Sequence, residues 1–208
     1  MTAPDFHTIA DLASLDALFD VPGDASLKKE SSFLHPVYRQ WIEASPFAVL
    51  ATTGPDGLDA SPRGDPASLV TVQDAHTLLL PERRGNNRID SLRNIVTNPR
   101  VALLFLIPGI GETLRVNGCA RISVAPELLL RTAMKGTPPK CVIVIAIDSV
   151  FFQCARAMQR SGLWTTPDAA ALDSVPTAGA MLAALTDSAI DGAAYDSALP
   201  ARQSATLY

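Results

Sequence analysis

The chain has 208 residues, with 17 basic against 21 acidic side chains and a net charge of -4. Hydrophobic residues make up 48% and charged residues 18%, which excludes a disordered chain and suits one domain with a sizeable core. The acidic balance gives no electrostatic reason to bind nucleic acid or an anionic membrane, and the longest apolar runs, VALLFLI and VIVIAI, are far short of a bilayer span.

The opening segment MTAPDFHTIADLASLDALFD lacks a basic start and carries acids throughout, unlike a secretory leader. It places Ile9, Leu12, Leu15, Leu18 and Phe19 at helical spacing, predicting a helix over 8–19 that VPGD breaks. A second helix is predicted over 36–44, with Pro36 in its first turn and Ser45-Pro46 ending it. Strand patterns follow. FAVLAT (47–52) and LDAS (58–61) form a hairpin across Gly54-Pro55-Asp56-Gly57, and SLVTV (68–72) pairs with HTLLL (76–80) across Gln73-Asp74-Ala75. Residues 87–97 read as a helix, with Ile89, Leu92, Ile95 and Val96 on one face. VALLFLI (101–107), ETLRVNGCARI (112–122) and CVIVIAIDSVFFQ (141–153) are strands, with a helix over 125–135 opened by Pro126. The tail from 166 is rich in Ala, Ser and Asp and holds one predicted helix, 177–186. About six mainly sequential strands with few helices point to an antiparallel barrel within an α+β fold, not a doubly wound sheet. The expectation is a single domain over 1–208 with an N-terminal helical extension (1–44) and a C-terminal helix and tail (166–208).

The chemically informative stretch is Leu80-Pro81-Glu82-Arg83-Arg84-Gly85-Asn86-Asn87-Arg88, which joins a strand to a helix. A helix N-terminus offers free backbone N–H groups and a positive dipole end. Three arginines crowd this one, and a bound dianion would relieve their mutual repulsion. A solvated basic loop beside a capped helix is the plain alternative. Ser61-Pro62-Arg63-Gly64-Asp65 is a second basic point, where glycine permits close approach of a ligand. There Arg63 and Asp65 can instead simply pair on the surface.

SPRGD, the LLLPERRGNNRIDSLRNI block and NPRVALLFLIPGIGETLRVNG together resemble the FMN-binding branch of the pyridoxamine 5'-phosphate oxidase superfamily. More narrowly, they resemble a subgroup with GNNR–SLRNI and GETLRVNG blocks and a terminal RSGLW segment. The likeness runs from about residue 28 to 165. It implies a six-stranded antiparallel split β-barrel and a homodimer with FMN between the subunits. It places Ser61, Pro62, Arg63 and Gly64 by the isoalloxazine and ribityl chain, and Leu80 and Pro81 beneath the flavin. It gives Arg84, Asn87 and Arg88 the phosphate, and sets Glu112, Thr113 and Arg115 on the flanking strand. The second subunit contributes from Gln153-Cys154 and from Arg160 to Trp164, with Trp164 stacking on the ring or serving as an interface tryptophan.

The loop before the helix is longer than the SRK-type phosphate segment of the true oxidases. Arg202 is followed by Gln203 and Ser204 rather than by an Arg-Leu-His-type motif, which argues against a vitamin B6 substrate. The resemblance implies an FMN-dependent oxidoreductase acting on another small molecule. The competing readings are a non-enzymatic flavin carrier or sensor, and a relative that binds a deazaflavin or haem.

His7, His35 and His76 have no partners at metal-ligand spacing, and His35 before Pro36 suits a cap. Cys119, Cys141 and Cys154 fit neither a disulfide framework nor a zinc site, and a reducing cytoplasm suits them. Cys141 opens an apolar strand and reads as core, and Ser45 and Ser61 have no adjacent base to activate them.

Overall fold

Alternation sets the first hairpin. In the computed structural model, which describes residues 7–66 and 68–208, β1 (Phe47–Gly54) buries every second side chain and pairs in register with β2 (Gly57–Gly64). The turn between them uses Gly57 at φ 114°, a conformation open to glycine. Short β3 (Thr71–Asp74) and β4 (Thr77–Pro81) make a second hairpin with a bulge between Val72 and Asp74. Then come β5 (Arg100–Leu106), β6 (Thr113–Ser123) and β7 (Val142–Gln153).

These strands form one antiparallel sheet in the order β2-β1-β5-β6-β7-β4-β3. The fold is an open split barrel with flanking helices, as the sequence led us to expect. It has seven strands, not six. Each of the seven corresponds to a strand segment named from the sequence, and the shortest is the four-residue edge strand β3. Its pairing also starts at Thr71, whereas the sequence suggested 68–72.

Two apolar layers hold the sheet. Leu50, Leu80, Leu103, Phe105, Leu114, Ile143 and Ile145 are fully buried in the main core. Leu79, Val142 and Val144 face the other way, beneath Leu128 and Leu129. Residues of β7 are therefore covered on both faces, which explains its continuous apolar run.

The helices are shorter than their periodicity suggests, and each limit has a local cause. The first, α1, spans Leu12–Asp16 because Asp11 caps it through Ser14 N at 2.8 Å. It is followed by α2 (Asp24–Lys28). In α3 (Pro36–Glu43) the cap is His35, whose Nδ1 accepts from Val37 N, as the sequence implies. The helix predicted over 87–97 begins only at Asp90: α4 is Asp90–Thr97, because Asn87 (φ 60°) and Ile89 (φ 53°) adopt the left-handed conformation. Beyond β6, α5 (Pro126–Arg131) gives way to a turn with Lys135 and Gly136 at positive φ.

After β7 come α6 (Arg156–Ser161), α7 (Ala169–Asp173), α8 (Ala178–Leu185) and α9 (Gly192–Ala205), where one helix was predicted from 166 onward. The pair α8 and α9 meet through Gly179 and Gly192. A Cβ at Gly179 would lie 2.1 Å from the Gly192 carbonyl oxygen, so only glycine allows this approach.

By compactness the chain divides into one unit ending at Glu30 and another comprising Ser31–Tyr208. Among the described residues no helix is long and apolar enough to cross a membrane.

Candidate functional site

Period-two geometry puts Asp59, Ser61 and Arg63 on one face of β2, the half-buried one. That face looks toward the N-terminus of α4. Ser91 Oγ donates to Asp59 Oδ2 at 2.5 Å, Ser61 Oγ donates to the same oxygen at 2.9 Å, and Asn94 Nδ2 donates to Thr52 Oγ1 at 3.1 Å. These bonds tie α4 across β1 and β2 and fix where its first turn lies. Among the described residues no side chain caps that turn, since Ile89 occupies the cap position. Its first N–H groups are left for another acceptor.

The strand β4 ends beside the same face. Backbone pairing with β7 continues one step past Pro81, with Glu82 N donating to Cys141 O at 3.0 Å, which delivers Glu82 to Arg63. Their ion pair is 3.3 Å long between Arg63 Nη2 and Glu82 Oε2, with both side chains about four-fifths buried. It is poorly aligned: Arg63 Nε and Glu82 Oε2 are buried with no hydrogen bond. Burial pushes the Glu82 carboxyl above its ordinary value of 4.5, and the Arg63 guanidinium opposes this. Burial, reinforced by the Glu82 charge, also raises the neighbouring Cys141 thiol, whose side chain is core, as expected.

Next to this pair, Arg83 Nε meets Asp65 Oδ2 at 2.7 Å, and Arg83 Nη1 donates to Thr132 O at 2.8 Å. The sequence offered Arg63 with Asp65 as a surface pair. The structure crosses the partners instead, because the ends of β2 and β4 lie side by side. Arg88 bonds Asp90 at 2.8 Å on the exposed surface. Arg84 has no hydrogen-bond or ion-pair partner among the described residues.

Three adjoining hollows share Glu82. The first, of about 390 Å³, lies between β2 and the α4 mouth and is lined by Ser61, Arg63, Arg88 and Ser91 among others. The second, of about 200 Å³, is walled by Pro62, Arg63, Gly64, Pro81 and Arg84. The third, of about 400 Å³, contains Arg84, Asn87, Lys140 and Tyr208. Ser61, Pro62, Arg63, Gly64, Pro81, Arg84, Asn87 and Arg88 therefore share one connected groove. Arg88 faces one end of it and Arg84 with Asn87 the other, so the three do not converge on a single point. Leu80 is fully buried in the core and lines none of these three hollows.

The model of the family described as pyridoxamine 5'-phosphate oxidase matches residues 34–154, more than half of the chain. The chain belongs to that family. Solved structures similar to it include HupZ from Group A Streptococcus (20% identity, TM-score 0.44, 54% of this chain and 89% of that one). General Stress Protein 26 from Bacillus anthracis is another (17%, TM-score 0.42, 55% and 88%). A third is the FAD binding protein from Mycobacterium smegmatis (13%, TM-score 0.42, 59% and 97%). No curated protein sequence matches.

The family segment contains the whole groove except Tyr208. It also contains Glu112, Thr113 and Arg115, which lie elsewhere. Glu112 is exposed just before β6, Thr113 is buried, and Arg115 stacks on the Phe151 ring at 5.4 Å. Arg160 and Trp164 fall beyond the segment. Trp164 Nε1 donates to Ile110 O at 2.7 Å and lines a separate hollow of about 340 Å³ with Gly111 and Gly162. Among the described residues, the Trp164 hollow has no lining residue in common with the three hollows around Glu82.

Sequence reasoning missed Lys140, Tyr208, Asp59 and Ser91. Asp59 and Ser61 could have been paired from strand alternation, and Lys140 from the pairing of β4 with β7. Among the described residues, no group of three or more His, Cys, Asp or Glu side chains is placed to hold a metal ion.

Proposed function

We propose that this member of the family binds FMN in the groove beside Glu82 and acts as an FMN-dependent oxidoreductase on a small molecule. One observation carries the reading. A helix mouth with no side-chain cap sits beside Arg88, and Arg63 keeps a buried N–H without an acceptor. Both are what a phosphate-bearing cofactor would satisfy. The fit extends along the groove. Arg88 is held only by an exposed bond to Asp90, which is worth little and is easily exchanged for phosphate. Pro62, Gly64 and Pro81 give the middle hollow close, flat walls.

When bound, the isoalloxazine would supply the hydride or electron transfer. The chain's own residues do the rest. Arg88 and the first N–H groups of α4 neutralise the phosphate, Arg63 orients the cofactor, and Glu82, whose carboxyl burial pushes above its ordinary range, stands between the hollows. The small-molecule substrate would enter the third hollow. The Glu112–Trp164 group would reach the flavin only from a second copy, so the reading includes a homodimer with FMN between subunits, in a reducing cytoplasm.

The test is fluorescence titration of the purified chain with FMN. Arg88→Ala should lose a charge-assisted bond of about 1.5–3 kcal/mol and weaken FMN binding about tenfold or more. Unchanged affinity, or no binding by the parent chain, ends the proposal. Light scattering on the loaded protein should give a dimer mass. Reduction by NADH or NADPH with turnover onto an acceptor separates an enzyme from a flavin carrier.

The groove should also be sensitive to pH. The folded-state pKa of Glu82 lies above 4.5, so its contribution to stability is complete below that value. It is lost as pH rises through the raised pKa. The same proton removes a negative charge facing the hollows. Binding of sulfate, whose charge is constant in this range, should therefore strengthen as pH falls through that window. Calorimetric titration should show Glu82→Gln flattening the dependence, and an unaltered slope would remove Glu82 from this role.

A further inference from the structure

We infer that Asp56 and Asp59 are specificity-determining residues that limit how far a phosphate-bearing ligand extends past the α4 mouth, admitting a terminal phosphate and turning away a pyrophosphate. The inference deepens the proposed function and rests on its placing a phosphate at that mouth. A fourth hollow, of about 260 Å³, adjoins the first and shares Asp59, Arg88 and Asp90 with it. Asp56 and Arg93 line the fourth hollow and not the first. A second phosphate joined to one at the mouth, on the side away from Arg63, enters this hollow.

Charge decides what the hollow accepts. Its lining sets the carboxylates of Asp56, Asp59 and Asp90 against the guanidinium groups of Arg88 and Arg93. A phosphate at the mouth shifts that balance. Arg88 exchanges its exposed bond to Asp90 for the phosphate, and the three carboxylates are then left with Arg93. Arg93 is exposed and lies three residues after Asp90 on α4, the spacing of surface neighbours, so it answers one of them at most. Asp59 cannot retreat. Its Oδ2 accepts from Ser61 Oγ at 2.9 Å and from Ser91 Oγ at 2.5 Å, and Ser91 is itself buried. Asp56 sits in the β1–β2 turn, whose course Gly57 sets at positive φ. The first phosphate thus meets Arg88 and free helix N–H groups, whereas a second meets fixed negative charge. Each such carboxylate, in a hollow open to water, costs about fivefold in affinity.

The experiment is calorimetric titration of the full chain with inorganic phosphate and pyrophosphate, and then with FMN and FAD. Pyrophosphate, despite its greater charge, should bind the parent chain no more tightly than phosphate, and FMN should bind more tightly than FAD. Asp56→Asn and Asp59→Asn keep the size of the side chain, and the second keeps an oxygen for the serine hydroxyls. Each should raise the pyrophosphate-to-phosphate affinity ratio about fivefold, and the FAD-to-FMN ratio with it. High salt should shrink the difference between parent and variants, because screening acts on charge and not on shape. A parent chain that prefers pyrophosphate, ratios unmoved in both variants, or a difference that persists undiminished in high salt overturns the assignment. If neither anion binds, the phosphate site at the α4 mouth falls and this inference falls with it. If the anion ratios shift as stated while FMN does not bind, the flavin reading alone ends.

Discussion

Replacing Arg83 with alanine should destabilise the chain by about 3–5 kcal/mol, measured by urea denaturation at neutral pH. The reason is Asp65. Its carboxylate is 2% exposed and its ion-pair partner is Arg83, at 2.7 Å. Taking the guanidinium away leaves a buried charge uncompensated, and Thr132 O loses its donor as well. The adjacent Arg84→Ala should cost less than about 0.5 kcal/mol, because no folded-state bond is lost. The paired replacement Arg83→Met with Asp65→Leu should recover most of the stability, since apolar groups of similar volume do not carry the desolvation penalty. A loss below about 1 kcal/mol for Arg83→Ala would mean that water reaches Asp65. The two consecutive arginines thus divide their work, one closing the gap between β2 and β4 and the other facing the hollow.

That division was only half legible in the sequence. The cluster itself was plain, and so was its place at a strand-to-helix junction. Which guanidinium meets which carboxylate depends on strand ends that are distant in sequence, so Arg63 with Glu82 and Arg83 with Asp65 could not be read from spacing. Strand positions were legible wherever burial alternates, as in β1, and wherever both faces are covered, as in β7. The start of α4 was not. A β-branched residue rarely adopts the left-handed conformation, yet Ile89 does so and delays the helix to Asp90. Nor was α9 visible, since Gly192 and Pro200 both argue against a helix in isolation. Its packing on α8 overrides them. Tyr208 carried no local signal whatever, because a cavity wall contributed from so far along the chain exists only after folding.

Gly118→Ala should lower stability by about 3 kcal/mol, with a fall in melting temperature of roughly 6–12 °C for a chain of this size. An added Cβ would lie 2.1 Å from the Ala146 carbonyl oxygen and 3.1 Å from its carbon. Both are backbone atoms of the neighbouring strand, so no side-chain rotation can relieve the clash. The position coincides with the shift in register between Asn117 and Gly118, where Ser149 and Ile147 are the successive partners on β7 and Asp148 is the extra residue. Alanine would force β6 and β7 apart at that bulge. Because β7 also carries β4, and Cys141 O receives Glu82 N, the displacement should reach the groove and weaken FMN binding too. Gly85, in the conspicuous RGNN loop, makes a useful contrast. A Cβ there meets nothing within 4 Å, and its φ lies outside the positive range. Gly85→Ala should therefore stay within about 0.5 kcal/mol of the parent. If thermal melts instead show Gly118→Ala unchanged and Gly85→Ala destabilised, the bulge is not what sets the register of β7, and its role in placing Glu82 against Arg63 has to be abandoned.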